Sequence, residues 1–118
     1  MSNVVSWSLQ MTVRDGQLEE AKALVPEMVE ATRSEPGALT YEYFLSHDGT
    51  SCHIYERYAD SEAVLAHLGN FGSNFAERFM ECFEPKSFSV YGPASDDVRG
   101  ALDAFGAGYF NTLDGFSR

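Results

Sequence analysis

The 118-residue sequence has only two cysteines, Cys52 and Cys82, and only eight basic residues against eighteen acidic ones. Two cysteines this far apart provide neither a metal cluster nor the disulfide framework of a small secreted scaffold, so we interpret both as buried thiols rather than as a bridge. The net charge of −10 gives a surface field that repels phosphate backbones and anionic head groups. Nucleic-acid binding and membrane binding are therefore not expected.

No apolar stretch reaches membrane-spanning length, and the start of the sequence, residues 1–7, has no cationic region leading into an apolar segment. We therefore expect a cytoplasmic protein. Phosphate-binding glycine loops, nucleophile elbows and paired carboxylates are also missing. His47 and His53 flank a predicted hairpin, but no third metal ligand is evident beside them. The sequence predicts neither a metal nor another cofactor.

What the chain does have is apolar residues in alternating and helical patterns. Hydrophobic residues make up 44% of the chain, which is enough for one buried core. Period-2 alternation predicts strands over residues 5–13, 39–45, 51–58 and 86–92. Three- and four-residue spacing predicts a helix from Leu18 to before Glu35 that kinks or restarts at Pro26. A second helical pattern starts after Asp60, includes Phe79 and Phe83, is broken at Gly69 and Gly72 and stops at Pro85.

This order of elements, strand, helix, strand, strand, helix, strand, is typical of the ferredoxin-like split βαβ fold of the α+β class. It predicts a four-stranded antiparallel sheet with helices on one face. We assign residues 1–93 to this domain. Residues 94–118 form a C-terminal helix and tail, which we expect to pack on the domain or its partner, because Leu102, Phe105 and Phe110 are too apolar for a free tail.

The predicted sheet has one face without helices, and that face carries aromatic residues. Phe44 and Tyr55 fall on it by strand alternation. Two copies packed face to face around a twofold axis would cover both patches, so we expect a homodimer. The alternative is a monomer whose C-terminal segment folds back over its own sheet.

Three segments carry a family resemblance: residues 14–16, residues 35–42, and residues 55–63 followed by His67. In this order they resemble the antibiotic biosynthesis monooxygenase-like domains of the dimeric α+β barrel superfamily, over roughly residues 5–92. The resemblance implies a dimer and a ligand cavity between sheet and helices. Members resemble cofactor-free oxygenases of anthrone-like or quinol-like polyketides, haem degraders, or isomerases of small phosphorylated ketones. Haem degraders look to use an asparagine on strand one together with a tryptophan and a histidine near the second helix, whereas this strand offers Trp7 and Ser8 and no later tryptophan exists.

His67 and Asn70 are the candidate catalytic residues. His67 matches the family's histidine and flanks a helical apolar stripe, where an imidazole could orient or deprotonate a phenolic ligand. It is equally compatible with a half-buried histidine satisfied by a backbone or carboxylate partner. The amide of Asn70 could hold a ligand oxygen or an oxyanion, or the residue could simply end a helix beside Gly69.

Aromatic residues are the candidate ligand-binding residues. Trp7 could stack on a flat aromatic ligand or serve as a core residue of its strand. Six others could line an apolar pocket or be ordinary packing: Tyr41, Tyr43, Phe44, Phe71, Phe75 and Phe79. Glu56 and Arg57 point to opposite faces of one strand, which favours an ion pair at a sheet edge or interface.

Two functions fit these observations. One is a cofactor-independent monooxygenase acting on an aromatic polycyclic phenol or quinol. The other is a non-catalytic dimeric binding protein for a small aromatic or lipophilic metabolite. The sequence alone does not decide whether the chain is an enzyme.

Overall fold

The centre of the sheet is strand β1, Val5–Val13, whose odd-numbered residues from Val5 to Met11 are buried as the alternation predicts. The computed structural model describes residues 2–118. Strand β1 pairs antiparallel with β3, Ser51–Tyr58, on one side and with β4, Phe83–Tyr91, on the other. Strand β2, Ala38–Leu45, pairs with the outer side of β3. The predicted α+β ferredoxin-like fold is confirmed.

The sheet has a fifth strand that the sequence did not predict. Strand β5, Gly108–Phe110, pairs parallel with β4, so the strand order is β2-β3-β1-β4-β5 and the sheet is mixed rather than purely antiparallel. The turn before β5 contains Gly106 at φ 77°, a conformation that favours glycine. Three residues are too short a run for alternation to reveal a strand.

Helix α1, Leu18–Arg33, continues through Pro26 without a break, contrary to the predicted restart. Helices α2, Ser61–Asn74, and α3, Ala76–Cys82, are separated at Phe75 rather than at the glycines. Phe83 starts β4 instead of continuing the helix. Strand β4 tolerates Pro85 because the register with β1 shifts there, where a missing backbone donor costs little.

The first part of the C-terminal segment, residues 96–105, packs on the helical side of the sheet. Helix α4, Asp96–Leu102, is capped by the Ser95 hydroxyl, packs against α2 and buries Val98 and Leu102. A 3₁₀ turn, Asp103–Phe105, follows it. Beyond β5 the chain is exposed, including Leu113 and Phe116. Residues 96–105 therefore close one end of the layer between sheet and helices.

The face of the sheet without helices carries exposed aromatic side chains near both edges of the sheet, on β2 and β3 at one edge and on β4 and β5 at the other. Phe44 is 53% exposed and Tyr55 lies on the neighbouring strand. At the other end the Tyr91 and Phe110 rings lie 5.8 Å apart. Within residues 2–118 nothing covers these aromatic side chains, and the homodimer stays a prediction.

Candidate functional site

A cavity of about 60 Å³ lies between the sheet and the helical layer. Its walls are almost entirely apolar and aromatic. They come from all four long strands, from α2 and α3, and from Leu102 and Phe105 of the C-terminal segment. One carboxyl group, that of Glu56, and one imidazole, that of His67, reach this apolar space. Such a combination of an apolar cavity with few convergent polar groups is typical of a ligand site.

Glu56 is a buried carboxyl group, 5% exposed, on the inward face of β3. The Trp7 indole Nε1 donates to its Oε2 at 2.6 Å, because β1 places Trp7 directly opposite Glu56. The Tyr58 hydroxyl donates to Oε1 at 2.5 Å. Burial raises the pKa of Glu56, and His67, Tyr58 and Trp7 partly oppose that shift. The expected ion pair at a sheet edge or interface is therefore wrong, because strand alternation turns Glu56 into the core.

His67 lies between two carboxyl groups. Its Nε2 is 3.4 Å from Glu56 Oε1 and its Nδ1 is 3.0 Å from Glu35 Oε1. The ring packs among the rings of Tyr41, Tyr58 and Phe71 at centroid distances of 5.1 to 6.2 Å. Helix α2 holds it there because Val64 and His67 occupy its buried stripe. The imidazole is thus fixed in place, with one nitrogen toward each carboxyl group.

Glu35 belongs to the turn between α1 and β2 and lines a second depression of about 110 Å³ on the outer side of His67. The amide of Asn70 donates to Glu35 Oε2 at 3.4 Å. The turn approaches α2 closely, since a Cβ at Gly37 would overlap the side chain of Ala63. His67 and Tyr41 line both the cavity and this outer depression.

Tyr41 and Tyr43 form the third polar pair of the site. Their hydroxyl oxygens are 2.8 Å apart, and the Tyr43 hydroxyl also donates to the sulfur of Met28 at 3.6 Å. Burial raises the pKa of both phenols, so they stay neutral at physiological pH. They can hold a ligand oxygen but are poor bases.

The predicted site residues divide into three groups by position. Six line the cavity: Trp7, Tyr41, Tyr43, His67, Phe71 and Phe79. Asn70 and Phe75 instead line the outer depression. Phe44 lies on the opposite face of the sheet, because consecutive strand residues alternate and Tyr43 already points inward. Their roles in binding or catalysis stay predictions.

Sequence reasoning missed Glu56 and Glu35 as site residues. The inward parity of Glu56 with Ile54 and Tyr58 was a usable signal. Glu35 lies in a turn, where no periodicity indicates the direction of a side chain.

Among residues 2–118, no three histidine, cysteine, aspartate or glutamate side chains are grouped so as to hold a metal ion. Within the same range, no helix has both the length and the apolar character needed to cross a membrane.

The fold and the cavity define a class, the ferredoxin-like α+β domains that enclose an apolar site between sheet and helices. Residues 6–78 match the family model described as antibiotic biosynthesis monooxygenase, and the chain belongs to that family. No curated protein matches the chain.

Solved structures extend the comparison to the C-terminal segment. MupZ from Pseudomonas fluorescens is 29% identical, with a TM-score of 0.88 over 100% of this chain and 91% of its own. SnoaB from Streptomyces nogalater, a cofactor-independent oxygenase, is 14% identical, with a TM-score of 0.67 over 80% of this chain and 96% of its own. Rv0793 from Mycobacterium tuberculosis is 24% identical, with a TM-score of 0.62 over 79% of this chain and 97% of its own. SnoaB and Rv0793 share the fold, whereas the similarity to MupZ extends over the whole chain.

Proposed function

We propose that the chain is a cofactor-independent monooxygenase for an aromatic polycyclic phenol or quinol. The observation that carries the proposal is the Glu56–His67 pair, a carboxyl and an imidazole 3.4 Å apart at the wall of an apolar cavity. Membership of the monooxygenase family and the fold shared with SnoaB support it.

The chemistry that this site would perform is proton removal in a dry environment. Loss of a proton from an acidic ring C–H leaves a carbanion, which reacts with dioxygen to give a peroxide anion. That anion takes up a proton to become a hydroperoxide. Loss of the second C–H proton, with cleavage of the O–O bond and departure of hydroxide, then gives a ketone; the proton and the hydroxide together are one water, so that CH₂ and O₂ become C=O and H₂O. The protein would supply the base and exclude water, which strengthens the electrostatic interactions at the site.

The size of the cavity sets a condition on this function. A volume of about 60 Å³ is smaller than the roughly 300–1,000 Å³ of typical ligand sites. A tricyclic ligand must therefore open the cavity. Phe105 is the natural place for this, because it lies at the wall, is 47% exposed and precedes the left-handed Gly106.

The alternative is a non-catalytic binding protein for a small aromatic or lipophilic metabolite. One observation favours it: among residues 2–118, no buried side-chain nitrogen or oxygen lacks a hydrogen-bond partner. A fully satisfied polar network can serve the core alone. In either case we propose a homodimer, and a cytoplasmic location is compatible with the two buried, unbridged thiols.

The test is oxygen uptake with anthrone, using metal-stripped and flavin-free protein. A positioned acid–base group typically contributes about 10²- to 10⁴-fold, so Glu56→Gln and His67→Ala should each lower turnover by a factor in that range. Anthrone affinity should change far less, because each polar group is a small part of an apolar contact surface. His47→Ala, in the exposed hairpin, is the matched control and should leave turnover unchanged.

Unchanged turnover in His67→Ala would remove His67 from the mechanism. Binding of anthrone without any oxygen uptake by the unaltered protein would favour the binding protein.

A further inference from the structure

We propose that Glu35, His67 and Glu56 form a proton-transfer chain that connects solvent at the outer depression with the inner cavity. Glu56 is the member that meets the ligand, and Glu35 is a positioning and proton-exchange residue that acts through His67. The inference deepens the proposed function and rests on it for the identity of the ligand, a carbon acid or phenol that must lose a proton.

Glu35, His67 and Glu56 are neighbours in a row. Glu35 Oε1 lies 3.0 Å from His67 Nδ1, and His67 Nε2 lies 3.4 Å from Glu56 Oε1. An imidazole can accept a proton at one nitrogen while it releases another proton from the opposite nitrogen. The three side chains thus lie in one continuous row, with a hydrogen bond between Glu35 and His67 and a 3.4 Å contact between His67 and Glu56.

His67 lies between two cavities. The inner cavity has Glu56 in its wall and the outer depression has Glu35, while His67 contributes to both walls. The His67 side chain is 5% exposed and that of Glu56 is 7% exposed, so neither exchanges protons freely with bulk water. Glu35, with 13% of its side chain exposed, is the member with most contact to solvent.

The side chains around Glu56 and His67 limit which groups can exchange a proton with them. The groups that face Glu56 are Trp7 from β1, Tyr58 from β3 and His67 from α2, with Tyr41 of β2 and Glu35 near the imidazole. Trp7 carries no titratable proton at physiological pH, and burial raises the pKa of both Tyr41 and Tyr58. Among these neighbours, His67 is therefore the group that can exchange a proton with Glu56.

Four proton transfers connect the ligand with water. Glu56 Oε2 accepts the ligand's proton while Oε1 gives the proton that it holds to His67 Nε2. Nδ1 of the same ring gives its proton to Glu35 Oε1, and Glu35 releases a proton to water. The ligand has lost one proton, water has gained one, and the imidazole has changed tautomer. When the peroxide anion formed from dioxygen is protonated, the transfer runs inward and restores the first tautomer.

The experiment measures proton exchange without oxygen. Anthrone in D₂O under anaerobic conditions should exchange its methylene protons faster with the protein than without it, as followed by NMR. Glu35→Gln keeps the size and hydrogen-bonding capacity of the side chain but cannot carry the proton. It should slow this exchange by about 10- to 100-fold, the usual cost of removing a group that supports a functional side chain. Glu35→Asp should restore part of the rate, and Glu30→Gln, an exposed carboxylate on α1, should match the unaltered protein.

A second readout needs no ligand. The ring N–H signal of His67, assigned by its loss in His67→Ala, should exchange with water faster in the unaltered protein than in Glu35→Gln. If the unaltered protein does not accelerate anthrone exchange, the proposed function fails while this second comparison still tests the chain. If anthrone exchange is fast and Glu35→Gln changes neither rate, the chain is overturned and the proposed function stands.

Discussion

At the scale of single residues, each of the two carboxyl oxygens of Glu56 accepts a hydrogen bond from an aromatic side chain, and the two donors lie on different strands. The Tyr58 hydroxyl bonds Oε1 and the Trp7 indole bonds Oε2. A hydrogen bond to a carboxylate favours its charged form, and both bonds oppose the rise in the pKa of Glu56 that burial causes. The two aromatic residues thus serve the chemistry of the site as well as its packing.

Tyr58→Phe should lower the free energy of unfolding by about 1–3 kcal/mol, because it leaves a buried acceptor without its donor. It should also raise the pKa of Glu56 further. A carboxyl group with a raised folded-state pKa stabilises the protein below its unfolded-state pKa, and that stability is lost as the pH rises through the folded-state pKa. The deficit measured by urea unfolding should therefore be larger at pH 7 than at pH 4.

Tyr91→Phe, which removes the hydroxyl of an exposed tyrosine, is the control and should have little effect. Equal deficits of Tyr58→Phe at pH 7 and pH 4 would contradict the role given to the Tyr58 hydroxyl.

At the scale of elements, the hairpin between β2 and β3 depends on one carboxylate. Asp48 Oδ1 accepts hydrogen bonds from the Ser46 hydroxyl, the Thr50 amide and the Thr50 hydroxyl. These bonds lower the pKa of Asp48 to about 2. Gly49 at φ 75° completes the turn. The hairpin sets the register that places Tyr41 opposite Glu56.

Asp48→Asn should destabilise the protein near neutral pH, and the difference from the unaltered protein should shrink as the pH falls from 5 to 2. The reason is that a lowered folded-state pKa gives stability above the unfolded-state pKa, which is lost as the carboxylate takes up a proton. Denaturant unfolding of both proteins across this range measures the difference directly. A difference that does not vary with pH would show that the charge of Asp48 contributes nothing to the turn.

The elements also show how far the sequence can be read. Alternation and helical spacing predicted the four long strands and α1, because each buries one face over at least two turns or several residue pairs. The same reasoning failed at Gly69 and Gly72, which α2 includes because packing outweighs their weak helix propensity. Strand β5 depends on pairing with β4, a long-range contact that no local pattern records. Glu35 escaped prediction for a related reason, since its partner is 32 residues away.

At the scale of the whole molecule, the face of the sheet without helices is apolar near both edges of the sheet. The side chains of Phe44 and Tyr55 at one end, and of Tyr91 and Phe110 at the other, are exposed in the single chain. Between them β1 presents the small polar residues Ser6 and Ser8. A second copy would bury these aromatic side chains from water symmetrically.

Sedimentation at micromolar concentration should give about twice the chain mass of 13.1 kDa. Phe44→Glu should shift the protein toward the monomer, because two like charges would enter the paired faces. Glu30→Gln on the helical side should sediment as the unaltered protein does. A clean monomer of the unaltered protein would defeat the prediction.

The close approach of Gly37 to Ala63 has a consequence for how the site is assembled. The turn that bears Glu35 rests on the first turns of α2 with no room for even one methyl group between them. The spacing between Glu35 and His67 is consequently constrained by the contact of Gly37 with the Ala63 methyl group as well as by the hydrogen bond. We therefore expect packing, and not only the hydrogen bond, to hold Glu35 Oε1 at 3.0 Å from His67 Nδ1.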